Sequence, residues 1–115
     1  MSKIVINSDY GGFGLSEDAL REYGRRAEVD LIEEGPDRHG FTHFYRGSIS
    51  EGNYFSDRDI LRDDPILVAV VEEMGEKSWS RYSNLKVVEI PDGVNWYIEE
   101  YDGREWVAER HRTWS

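Results

Sequence analysis

The sequence predicts a small α+β domain, and three observations carry that prediction. Short apolar or alternating runs at residues 3–6, 41–46, 85–90 and 94–110 read as strands. Two segments, opening at Ser16 and at Asp64, carry the capping residues of helices. The dipeptide Asp102-Gly103 sits between two of the alternating runs, which is the pattern of a two-residue hairpin turn.

The first run, Lys3-Ile4-Val5-Ile6-Asn7, is apolar on both faces and suits a buried strand. Tyr10-Gly11-Gly12-Phe13-Gly14 then leads into Leu15-Ser16-Glu17-Asp18. Ser16 is the expected N-cap, with Leu15 and Leu20 placed as a hydrophobic staple. Leu20, Tyr23 and Ala27 continue one helical face. A short strand is expected at 29–32, a loop over 33–37, and a strand over 41–46. Residues 47–62 are polar and glycine-containing, and read as one long loop. Asp64-Pro65 starts the second helix, with Leu67, Val70, Val71 and Met74 facing inward and Gly75 as a natural end. Leu85 to Ile90 is a strand, and Pro91-Asp92-Gly93 a turn. The final hairpin pairs Ile98 with Val107, Tyr97 with Ala108, Glu99 with Trp106 and Glu100 with Glu105. The predicted architecture is one compact domain over 1–115: a small mixed sheet ending in the C-terminal β-hairpin, with two main helices packed on one face.

At 115 residues the chain suits a single core, and 13% aromatic content argues against disorder despite 33% charged residues. It has no cysteine, which excludes disulfides and thiolate metal sites. The net charge of −10 opposes generic nucleic-acid binding and favours basic partners. Neither a signal peptide nor a membrane-spanning run is expected, so the predicted place of action is the cytoplasm.

A strand that passes through glycines into a helix start aims backbone N–H groups at one point, the geometry of an anion site. Gly11, Gly12 and Gly14 are therefore candidate phosphate contacts, with Tyr10 or Phe13 stacking on a base. The spacing matches neither the Walker A pattern nor GxGxxG, and Glu17 and Asp18 supply the helix start with its own negative charge. The competing reading is a tight turn that needs glycine. Arg46, Arg58, Arg62, Arg104, Arg110 and Arg112 are available as anion ligands, since guanidinium groups hold phosphate bidentately, and Arg58, Arg62, Arg110 and Arg112 are the ones expected at the site; surface ion pairing is the alternative use for each. Trp79, Tyr82, Trp96, Tyr97, Tyr101, Trp106 and Trp114 read mostly as core and cross-strand packing, with any surplus free to line an interface or a base-stacking pocket. His39, His43 and Asp37 form a weak metal candidate, and no metal or cofactor is predicted. Glu100 opposite Glu105 is a pair of carboxylates whose proximity follows from the turn.

The segments Lys3–Asn7, Tyr10–Ser16, Phe55–Asp59, Arg62–Pro65, Val87–Asp92, Ile98–Gly103 and Arg110–Trp114 together resemble a family of small phage-associated proteins. The resemblance spans most of the chain outside roughly 28–54 and carries over no catalytic residue. It implies an accessory protein acting in the infected host cell, one that counters host defence. The leading expectation is capture of a small nucleotide-type immune signal without cleavage. Its site would be Tyr10, Gly11, Gly12, Phe13, Gly14, Arg58, Arg62, Arg110, Arg112 and Trp114, with a homo-oligomer as one arrangement. The alternative is an acidic inhibitor that docks on a basic surface of a host protein through Glu72, Glu73, Glu99, Glu100, Asp102 and Glu105. An enzyme using His43 or His111 is the third reading.

Overall fold

The structure, a computed structural model, describes residues 1–110. Its first strand, β1 (Ser2–Asn7), pairs antiparallel with β5 (Leu85–Ile90), placing Val5 opposite Val87. Ile4, Val5, Ile6 and Asn7 are all buried, as the two-faced apolar run requires. Helix α1 (Glu17–Arg26) begins where Ser16 Oγ accepts the Ala19 N–H at 3.1 Å. It ends in a Schellman turn: Glu28 takes a left-handed φ of 57°, and the Val29 N–H donates to the Gly24 carbonyl at 2.9 Å.

That turn uses Glu28 and Val29, so the next strand starts later than expected. β2 spans Leu31–Glu34 rather than 29–32. Asp37 then folds the following loop around itself, accepting the His39 and Phe41 N–H groups. Phe41 is thereby held in the loop, and β3 begins at His43 (His43–Arg46). The polar stretch 47–62 is more ordered than its composition suggests. It contains a two-residue strand β4 (Tyr54–Phe55) and two 3₁₀ turns, and it buries Phe55 and Ile60.

Helix α2 (Pro65–Met74) has Asp64 as N-cap, with Oδ1 accepting the Ile66 N–H at 2.8 Å. The other carboxylate oxygen accepts the Tyr23 hydroxyl at 2.7 Å, which ties α1 to the start of α2. Burial, reinforced by that bond to Asp64, pushes the Tyr23 hydroxyl up to about 12 from an ordinary 10.0. Because the folded value is the higher one, this contribution to stability is intact below pH 10 and is lost as pH rises toward 12. Urea titrations should show the wild type weakening across that window, and Tyr23→Phe should flatten that part of the profile.

The strands form three antiparallel sheets among the described residues: β1–β5, β2–β3–β4, and the hairpin β6 (Trp96–Tyr101)–β7 (Arg104–Glu109). This corrects the expected mixed sheet. It also corrects the packing of both helices on one sheet face: α2 covers β1–β5, whereas α1 lies between α2 and the three-stranded sheet, where Tyr23 stacks on Phe55. Leu20, Tyr23, Phe44, Phe55, Leu67, Val70 and Leu85 belong to one continuous core. The hairpin register is the predicted one, and Asp102 and Gly103 both take positive φ (50° and 88°), as a type I′ turn demands. No hairpin residue is fully buried, and the molecule measures 51 × 31 × 26 Å. No helix of the described residues is long and apolar enough to cross a membrane.

Candidate functional site at the hairpin tip

The glycine turn and the hairpin tip meet, and Asn7 joins them. Its side-chain amide donates to the Asp9 carbonyl at 2.6 Å and to the Gly103 carbonyl at 2.7 Å. Its Oδ1 accepts the Asn84 N–H at 2.8 Å. A fully buried Asn is stable only when its polar atoms are satisfied in this way. The Gly11 N–H points at the Asp102 carbonyl at 3.4 Å, and Gly103 lies so close that a Cβ there would fall 2.3 Å from the Gly12 nitrogen.

Of the N–H groups expected to attract an anion, that of Gly11 is turned toward a carbonyl of the hairpin itself. Gly11 and Gly12 lie under the hairpin tip. The Leu15 N–H, next along the turn, donates to the Asp57 carboxylate at 3.0 Å. Gly14 packs so tightly that a Cβ would lie 2.7 Å from Ser80 Oγ, and its carbonyl accepts the Ser83 hydroxyl.

Arg62 is likewise committed. Its guanidinium makes two bonds to the Glu105 carboxylate (2.7 and 2.9 Å) and one to the Val5 carbonyl (3.2 Å), and stacks 3.5 Å above the centre of the Phe13 ring. Glu105 Oε1 also accepts the Asn7 N–H at 2.8 Å, and the Val5 N–H donates to the Arg62 carbonyl at 2.9 Å. The edge of β1 turned away from β5 is thus closed by one arginine and one glutamate. The same pairing relieves the opposed carboxylates: Glu105 is neutralised by Arg62, while Glu100 accepts the Gly103 N–H at 3.1 Å.

On the outer face of the hairpin lies an open cavity of about 430 Å³, lined by Tyr10, Tyr101, Arg104, Glu105 and Trp106. Tyr101 and Arg104 are cross-strand partners beside the turn, and Trp106 follows Arg104 on the same face. Tyr10 enters from the glycine turn. Tyr10 is 53% exposed, Tyr101 72% and Trp106 42%, unusually open for large aromatic side chains. Glu99 steadies the far wall, accepting the Trp106 indole N–H at 2.9 Å and the Tyr97 hydroxyl at 2.7 Å. Arg104 makes no ion pair with a described residue. The arrangement offers stacking surfaces around one available guanidinium.

Of the residues expected to bind a nucleotide, Tyr10 alone lines this cavity; Glu105, an acidic docking candidate, lines it as well. Phe13 lies beneath Arg62. Arg58 lines a separate cavity of about 370 Å³ with Tyr54, Phe55 and Asp57. Arg110 stacks 4.7 Å over the Tyr97 ring, further along the hairpin. Arg112, Trp114 and His111 fall outside the described residues. Among the acidic candidates, Glu72 pairs with Lys3 and Glu73 with Arg26, whereas Glu100 and Asp102 stand exposed beside the turn. His43 contacts Asp37 at 3.1 Å, but no group of three or more potential metal ligands forms among the described residues. Bonds from the Phe41 N–H, His43 and the His39 N–H hold the Asp37 carboxyl below its ordinary value.

Asn7 is not among the sequence candidates, and Arg104, Tyr101 and Trp106, though among the arginines and aromatics open to a ligand role, lie outside the expected site. The hairpin register, which was readable, already placed Tyr101, Arg104 and Trp106 on one face; what the sequence lacked was the approach of Tyr10. Comparisons with protein-family models, curated proteins and solved structures find no match to the chain.

Proposed function

We propose that this protein is a non-catalytic binding protein that captures a small nucleotide-type ligand at the hairpin tip. The observation that supports this reading is the cavity lined by Tyr10, Tyr101 and Trp106 around Arg104. Base–aromatic stacking contributes about 1–3 kcal/mol per base. An arginine–phosphate contact adds geometric selectivity as well as charge. Of the carboxylates at the tip, Glu105 lines the cavity but is already paired with Arg62, whereas Arg104 has no ion-pair partner among the described residues. The phage-like sequence motifs support an accessory role, sequestering a nucleotide immune signal in the infected host cell.

The reading predicts a rise of several degrees in melting temperature with one member of a panel of cyclic dinucleotides, cyclic oligonucleotides and ADP-ribose, the ligand being recovered intact. Arg104→Ala should abolish the rise while leaving the melting temperature of the free protein nearly unchanged, because Arg104 is exposed. Arg58→Ala, at the other cavity, should leave it intact.

A second reading rests on Glu100 and Asp102, which stand exposed with Tyr101 at the same tip. This acidic, aromatic surface suits docking on a basic protein. Charge reversal at Glu99 and Glu100 would then abolish a salt-dependent association and leave the nucleotide panel without effect.

A further inference from the structure

Among the described residues β6 pairs with β7 alone and has no partner strand along its outer edge. The Arg110 N–H donates to the Asn95 carbonyl at 2.7 Å, so the odd-numbered residues of β6 turn their backbone groups toward β7. Trp96, Ile98 and Glu100 therefore present theirs outward. The hairpin contributes nothing to the core cluster, and its apolar residues Trp96, Ile98, Val107 and Ala108 are each only half-buried. A two-stranded ribbon is marginal by itself, and an open apolar edge invites another strand.

We infer that this edge pairs with β6 of a second copy of the chain, in an antiparallel ladder centred on Ile98. A two-fold axis normal to the ribbon keeps equivalent faces together, so the residue at the centre must meet its own copy. Centring on Glu99 or Glu100 would oppose like charges, which a ladder disfavours. Centring on Ile98 places Ile98 against its copy, Glu99 against Tyr97, and Glu100 against Trp96. Tyr97 already carries Arg110 on its ring and donates its hydroxyl to Glu99 within one chain. The Glu99 carboxylate of one copy thus meets the Tyr97–Arg110 stack of the other, and this charge complementarity, offsetting the repulsion between two chains of net charge −10, selects a second copy as the occupant. The four-stranded sheet that results leaves the cavity at Arg104 on the outer strand accessible.

The chain has no cysteine, so single cysteines report the register directly. In a hydrogen-bonded antiparallel pair the Cα atoms lie about 5.5 Å apart, within disulfide reach. Sedimentation should find the wild type dimeric at micromolar concentration. Ile98→Cys should cross-link to a disulfide dimer under mild oxidation at least tenfold faster than Glu109→Cys, on the opposite strand. Glu99→Lys, which meets Arg110 of the other copy, should weaken the dimer about tenfold without loss of secondary structure. A monomeric wild type at 100-fold higher concentration, or equal cross-linking rates for the two cysteine variants, would overturn the proposal. Because wild type, Glu99→Lys and Glu109→Cys leave Ile98 in place, poor folding of Ile98→Cys does not shield it.

Discussion

Glu105→Ala is expected to be the most damaging single substitution in the protein, lowering stability by about 3–5 kcal/mol. The side chain of Glu105 is only 9% exposed and that of Arg62 22%. Removing the carboxylate leaves a guanidinium held against Phe13 and the Val5 carbonyl without a counter-charge, and leaves the buried Asn7 N–H without its acceptor. Both costs are paid in a water-poor site, where an unpaired group is far more expensive than a surface one. Urea denaturation of the purified variant measures the loss. Glu105→Gln keeps an acceptor for Asn7 and should cost about half as much; replacing Arg62 and Glu105 together by methionine should recover the part due to the unpaired guanidinium but not the part due to the Asn7 N–H, which stays without its acceptor. A loss below about 1 kcal/mol for Glu105→Ala would mean that β1's outer edge is not closed in this way.

Gly103→Ala is expected to have the second largest effect, at least about 2 kcal/mol. The residue has φ of 88°, and a Cβ would stand 2.3 Å from the Gly12 nitrogen and 2.8 Å from that of Gly11. Those neighbours are backbone, part of a turn anchored by Asn7, and cannot step aside as a flexible side chain would. The tip must lift, which breaks the Asn7–Gly103 bond and separates Tyr10 from Tyr101 and Arg104. Gly93→Ala is the informative control: φ is also positive there (82°), but nothing lies within 4 Å, so only the backbone strain of about 1–2 kcal/mol applies. Comparing the two variants separates close approach from conformational preference. If Gly103→Ala were no worse than Gly93→Ala, the docked tip would not be a rigid element.

What could be read from the sequence follows from range. Asp102-Gly103 fixed the hairpin register to the residue because loop length and turn type act over a few positions. Ser16 and Asp64 marked both helix starts for the same reason. Glu28 misled because its left-handed cap carries no glycine, which moved β2 two residues along. The separation into three antiparallel sheets depends on Phe44 and Phe55 packing against α1, contacts that no local pattern announces. The glycine turn was recognised as a place where N–H groups converge, but its partners are distant in the chain: Asp57 is 42 residues from Leu15, and Glu105 lies 43 from Arg62. A net charge of −10 hid the pairing further, since most carboxylates in such a chain have no basic neighbour to suggest one.

The site shifted for the same physical reason. Guanidinium groups near a glycine turn suggested a phosphate cradle, whereas Arg62 is used inside the fold and Arg58 faces another cavity. Tyr10 remained exposed, and it meets the one stretch of the hairpin where aromatic side chains surround an arginine without an ion-pair partner among the described residues.

The measurement that tests the central claim most directly is calorimetric titration of wild type and Arg104→Ala with cyclic dinucleotides and ADP-ribose, run side by side. The account predicts saturable one-site binding of one of these to the wild type, weakened at least tenfold in Arg104→Ala and unaffected in Arg58→Ala. Binding that survives Arg104→Ala unchanged, or no binding to the wild type by any of the probes, would contradict it.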